Sequence, residues 1–123
     1  MARPKLEDKQ KNVGEARKLY TRTEAIKLLG LGSRNTLRAY EWLAIFNVLD
    51  YRELMRVDGQ IKRGRPLCHY QLWVLAKIQK MYNAVPNGCE AYTEVRQFLK
   101  DNPCLIDSQA YVEEMASLIR NSA

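Results

Sequence analysis

The sequence predicts a mainly α protein in which a helix-turn-helix is followed by a small β-hairpin wing and by additional C-terminal helices. Three observations predict it. Residues Thr21 to Glu41 carry start, stop and start signals for two helices joined by a tight turn. Asp58-Gly59 lies between Val57 and Ile61, a strong short-range hairpin signal. Three later stretches, opening near His69, Glu90 and Asp107, repeat apolar residues every three or four positions. Together these read as a winged helix-turn-helix.

Thr21 and Glu24 have capping-box spacing, so the first helix should start near Arg22. Ala25, Ile26, Leu28 and Leu29 give it a core face. Gly30 suits the left-handed residue that ends a helix. Leu31 can plug the angle between the helices, Gly32 permits the sharp turn, and Ser33 caps the second helix. That helix should run from Arg34 to about Phe46, with Leu37, Tyr40, Leu43, Ala44 and Phe46 on its apolar face. Trp42 and Ile45 widen that face, which suits burial against two neighbours, with a partner chain among the candidates.

Between 47 and 67 the signals are mixed. Asp50-x-x-Glu53 can cap a short helix through Met55, or the chain can be extended there. The hairpin at Asp58-Gly59 then leads into Lys62-Arg63-Gly64-Arg65-Pro66. A third helix is predicted from about His69 to Asn83, with Leu72, Leu75, Ala76, Ile78, Met81 and Tyr82 on a broad apolar face. Pro86-Asn87-Gly88 breaks the chain. Glu90 to Lys100 forms a fourth helix with Tyr92, Val95, Phe98 and Leu99 inward, and Asn102-Pro103 stops it. Asp107 or Ser108 caps a last helix with Tyr111, Val112, Met115, Leu118 and Ile119 on one face. The organisation expected is a basic arm over 1–18, a DNA-binding region over 19–83, and a helical dimerisation region over 84–123.

At 123 residues, 46% of them hydrophobic, the chain has the size of one domain with a real core. The net charge of +6 is unevenly placed. Residues 1–66 hold 15 Lys and Arg against 8 Asp and Glu, whereas 67–123 hold 5 against 6. A polyanion facing the N-terminal part is the reading, because the basic half is the half with the helix-turn-helix signal. No stretch reaches the roughly 18 apolar residues of a membrane span. Met1 to Lys18 lacks a signal-peptide core, which predicts a cytoplasmic protein. Cys68, Cys89 and Cys104 are odd in number and widely spaced, so reduced, mostly packed thiols are expected rather than disulfides or a zinc site. No metal or other cofactor is expected. The only histidine, His69, has no recognisable catalytic neighbours, and no phosphate-binding glycine loop occurs, so the chain does not read as an enzyme.

Arg34 and Asn35, at the start of the second helix, are candidate base readers: Arg pairs with guanine and Asn with adenine in the major groove. Arg38 is a candidate for a base edge or a phosphate. Thr23, Ser33, Thr36 and Tyr40 supply hydroxyls for the backbone of the duplex. Lys62, Arg63 and Arg65 form a basic loop. Arg63-Gly64-Arg65-Pro66 matches the core of the AT-hook, whose Arg-Gly-Arg lies in a narrow minor groove. The plainer readings are a helical hairpin with a basic surface and a loop that touches only phosphates.

Thr23-Glu24-Ala25 through Leu29-Gly30-Leu31, with Ser33-Arg34-Asn35-Thr36-Leu37-Arg38 and Tyr40-Glu41, resembles the DNA-binding domain of the MerR family over about residues 20–82. Phage excisionases share these motifs. The resemblance implies a winged helix-turn-helix, a homodimer, and a palindromic promoter site contacted at Arg34, Thr36, Arg38 and Tyr40. Gly32 is one extra residue in the turn. The stretch before the wing is longer than usual, and two short helices stand where the family has a long dimerising helix and an effector domain. A compact repressor therefore fits better than an activator that twists its promoter. In size and plan the chain is similar to the MerR-like repressors that accompany transposon-associated CRISPR systems, the Cas V-K repressors. Two other readings stand beside it. One is an excisionase-like architectural protein that bends DNA. The other is a protein-interaction module whose helix-turn-helix contacts a protein.

Overall fold

The computed structural model describes residues 18–122, so all of the expected basic arm except Lys18 lies outside the described residues. Among them are six helices and one two-stranded hairpin. In chain order these are α1 (Arg22–Leu29), α2 (Arg34–Asn47), α3 (Leu49–Leu54), β1 (Arg56–Val57), β2 (Gln60–Ile61), α4 (His69–Ala84), α5 (Ala91–Asp101) and α6 (Ser108–Ser122). The mainly α class with a small hairpin after the early helices is as the sequence predicts.

The local signals act as their chemistry requires. At Thr21 the side chain accepts from Glu24 N–H while the Glu24 carboxylate accepts from Thr21 N–H, a closed capping box. Gly30 takes φ 67°, and α1 closes with Gly30 N–H donating to Lys27 and Leu31 N–H donating to Ile26. This double bond pattern satisfies carbonyls that a helix end otherwise leaves open. A third, that of Leu29, accepts from Gln79 Nε2 of α4 at 2.8 Å. Ser33 caps α2 by accepting from Thr36 N–H at 3.3 Å. The hairpin turns at Asp58 (φ 52°) and Gly59 (φ 80°), the paired positive values of a type I′ turn, and pairs Arg56 with Ile61 and Val57 with Gln60. Asp50 does not cap α3, which has no side-chain cap at Val48. Its carboxylate instead accepts from Ser108 N–H at 2.8 Å and so ties α3 to the start of α6.

One hydrophobic core runs through the whole set. It joins Leu37, Leu43 and Ile45 of α2, Val74, Leu75 and Ile78 of α4, and Val95 and Leu99 of α5. α5 thus belongs to the same core as α2 and α4. Tyr20 and Leu67 exchange backbone hydrogen bonds at 2.7 and 2.8 Å, fastening the lead-in to α1 against the lead-in to α4. An aromatic group binds α6 to α4. Tyr111 meets Tyr70 and Trp73 edge-on at 5.3 and 5.4 Å, and its hydroxyl lies 2.7 Å from His69 Nδ1. Glu114 accepts from Trp73 Nε1 and Lys77 Nζ, both at 2.8 Å. Those bonds hold its carboxyl below the usual carboxylate range.

Several side chains expected inside are outside. Phe46, Phe98, Val112, Leu118 and Ile119 are all exposed, Ile119 at 72%. In each helix the periodicity is right but the buried arc is narrower than the apolar one. Cys89 and Cys104 are exposed free thiols and Cys68 is half-buried, so the expectation of mostly packed cysteines is corrected by their positions in and around short loops. Among the described residues no helix is long and apolar enough to cross a membrane.

Two core phenols make stability fall at alkaline pH. Burial holds Tyr51 well above the ordinary tyrosine value, with the nearby Glu41 charge adding to it. Burial likewise raises Tyr70, with Asp50 and Asp107 adding. Both keep their protons in the folded chain where the unfolded chain loses them. Their contribution is thus complete below about pH 10 and is lost as pH rises above it, by up to about 1.4 kcal/mol per pH unit for each group. Urea unfolding followed from about pH 9 to about pH 11 should show this decline, and Tyr51→Phe and Tyr70→Phe should each make it shallower. A slope unchanged in both variants would assign the loss to other groups.

Candidate nucleic-acid interface

The exposed face of α2 follows from how its other face is used. Leu37 is 1% exposed and fixes the helix to the core. Arg34 and Asn35, just before it, and Arg38, just after it, are then left in solvent. Neither Arg34 nor Arg38 forms an ion pair among the described residues. The capped N-terminus beneath them carries the positive end of the helix dipole, which adds to their attraction for an anion. Ser33 is exposed beside them, and Thr36 is half-buried with its hydroxyl 3.1 Å from that of Ser33. Thr23 is exposed on the first turn of α1. Tyr40 is not brought into this set. It is 4% exposed and its ring packs on Tyr82, centroids 5.1 Å apart.

The basic loop lies against α2. Arg34, Arg38, Arg22, Arg63 and Gly64 line an open cleft of about 250 Å³ between the helix and the loop, with Leu37 and Glu41 among its other walls. Lys62 is exposed at the loop's start, and its N–H extends the hairpin ladder by donating to Met55 at 2.7 Å. Arg63 is laid on the face of Trp42, with the guanidinium carbon 4.4 Å from the ring centroid. Trp42 in turn stacks on Phe46, one turn further along, at 5.1 Å and 12°. Arg65 is engaged with the protein's own backbone, donating to the carbonyls of Leu54 at 3.1 Å and Arg56 at 3.5 Å. The Arg-Gly-Arg segment is thus folded onto the domain, with both guanidinia held.

Three residues that sequence reasoning did not single out as site-builders, Arg22, Glu41 and Tyr51, fix this geometry. Glu41 is 3% exposed in the middle of α2. Its carboxylate takes both Nη2 of Arg22 at 2.8 Å and Nε at 3.2 Å, and accepts from the Tyr51 hydroxyl at 3.1 Å. The remaining Arg22 nitrogen, Nη1, donates to the carbonyl of Arg65. One guanidinium therefore joins α1, α2 and the basic loop. A buried, forked carboxylate–guanidinium pair with all oxygens used is the arrangement in which desolvation is best offset.

His69 is half-buried and committed to Tyr111, and no group of three or more potential metal ligands occurs among the described residues. Comparison with protein-family models, with curated proteins and with solved structures gave no match.

Removing either partner of the buried pair leaves the other uncompensated, which typically costs about 3–5 kcal/mol. Arg22→Ala and Glu41→Ala should each lower the urea midpoint strongly. Arg22→Met combined with Glu41→Leu should lose much less stability than the sum of the single losses. Additive losses in that cycle would show that the two side chains do not depend on each other.

Proposed function

We propose that the protein is a sequence-specific double-stranded DNA-binding transcription regulator, a homodimeric MerR-like repressor acting at a palindromic site. The observation that carries this reading is the pairing of two features. Arg34, Asn35 and Arg38 are exposed on the first turns of a capped helix, the two arginines form no ion pair among the described residues, and a cleft lined by arginines adjoins them. Base-edge readers and backbone-binding cations are the two contact types that a specific duplex complex needs. In this reading α1, the turn and α2 form the helix-turn-helix, and the β1–β2 hairpin with its basic loop is the wing. The uneven charge along the chain supports it, since α5 and α6 carry little net charge and leave the basic half for DNA. For α6, Val112 and Ile119, seven residues apart, give an exposed apolar stripe at 57% and 72% exposure, which supports self-association through the C-terminal helix.

Arg34→Ala should reduce affinity for the specific site by about 1–3 kcal/mol more than affinity for mixed-sequence duplex. Fluorescence anisotropy on the two duplexes measures the difference. Equal losses on both would make Arg34 a phosphate contact. Light scattering on the full chain should give a dimer at micromolar concentration, and Val112→Glu with Ile119→Glu should give a monomer with unchanged helix content. A monomeric wild-type chain, or a dimer that survives both changes, would remove α6 as the dimer interface. A dimer on DNA further implies half-sites separated by one helical turn or a multiple of it.

A further inference from the structure

We propose that the cleft between α2 and the basic loop seats one phosphodiester of the DNA backbone, and that Trp42 is the positioning residue that holds Arg63 in place to bind it. This rests on the DNA-binding reading and specifies how the loop is used. The chemistry of the cleft is that of an anion site. Four guanidinia line it, those of Arg22, Arg34, Arg38 and Arg63, and the single carboxylate among the described lining residues, Glu41, is already spent on Arg22 and Tyr51. Among the described residues, three cationic groups remain without an ion-pair partner around an open space of about 250 Å³.

Arg63 is prepared for this role and Arg65 is not. Arg65 gives its guanidinium to two backbone carbonyls, so it shapes the loop rather than reaching outward. Arg63 has no ion pair among the described residues, and its Nε–H is buried without a hydrogen-bond partner. Contact with the Trp42 face restricts the long side chain to one region beside the cleft, while leaving the guanidinium edge for an acceptor. Trp42 is itself backed by Phe46, so the platform is stiff, and it lies one turn beyond Arg38 on the same row of α2 as Arg34. The exposed Phe46 ring, which the core does not use, has its place as the second layer of that platform.

The folded arrangement favours a phosphate over minor-groove insertion. An Arg-Gly-Arg that enters a narrow groove must be extended with both side chains released. Here the release of Arg65 would break its bonds to Leu54 and Arg56, and pulling the segment outward would also remove the Arg65 carbonyl from Arg22.

The test uses the full chain and a mixed-sequence duplex, because a phosphate contact does not depend on sequence. Affinity is followed against salt concentration for the wild type, Arg63→Gln, Trp42→Ala and Trp42→Phe. Each phosphate contact contributes about 0.9 to the slope of log affinity against log salt. Arg63→Gln and Trp42→Ala should each flatten the slope by about one unit, and Trp42→Phe, which keeps an aromatic face, should retain the wild-type slope. Intact binding with an unchanged slope in Arg63→Gln would overturn the phosphate seat. A slope lost equally in Trp42→Phe and Trp42→Ala would overturn the positioning role. If Trp42→Ala fails to fold by circular dichroism, Trp42→Leu, which keeps bulk and removes the aromatic face, takes its place, and a wild-type slope in either would overturn the positioning role. A wild-type chain that binds no duplex at all would overturn the DNA-binding reading itself, an outcome distinct from either slope result.

Discussion

The geometry of the candidate interface depends on one buried guanidinium. Arg22 leaves the first turn of α1, crosses to Glu41 in the middle of α2, and reaches the carbonyl of Arg65 in the basic loop. Glu41 also takes the hydroxyl of Tyr51, so α3 is held by the same carboxylate. Four segments of the chain are therefore tied at one point. Apolar packing at Leu37 and Leu43 decides that α2 sits on the core, but it is non-directional. The forked pair has a direction, and it sets the angle between α1 and α2 and the distance of the loop from α2.

From that constraint the exposed face follows in steps. With Glu41 and Leu37 turned inward, the α-helical repeat puts Arg34, Arg38 and Trp42 on one outer row, four residues apart. With the Arg65 carbonyl pinned, the neighbouring Arg63 falls on Trp42 and Gly64 borders the cleft. Arg65 then turns back to Leu54 and Arg56, which braces the hairpin. Positive charge is thus gathered in one place by interactions that are each local or singly long-range, and a partner that uses it must carry anionic groups.

The parts of the fold that rest on local chemistry were legible in the sequence. Thr21 with Glu24, Gly30, Ser33 and Asp58-Gly59 each act through bonds within a few residues, so their residue types suffice to place the ends of α1, the start of α2 and the hairpin turn. Features that depend on distant partners were not. Glu41 reads as an ordinary helix residue until Arg22 is brought beside it, 19 positions away. Asp50 looks like a cap for its own helix and instead serves α6. Tyr40 carries a hydroxyl suited to phosphate, yet its ring is claimed by Tyr82 of α4. Phe46 and Ile119 have the right spacing for a core, but periodicity gives the apolar arc of a helix and not which part of it meets a neighbour. The second Arg of Arg63-Gly64-Arg65 looks free because nothing in four residues reveals the carbonyls that hold it.

The central claim is that α2 reads base sequence. Selection of the full chain on a randomised duplex pool, at a salt concentration near the physiological value, tests it most directly. Repeated rounds should converge on one motif arranged as an inverted repeat. The Asn35→Ala chain should select a motif relaxed at a defined position in each half, with the rest unchanged. A pool that stays random while duplex is still retained would contradict the claim, leaving a basic surface that holds DNA without reading it.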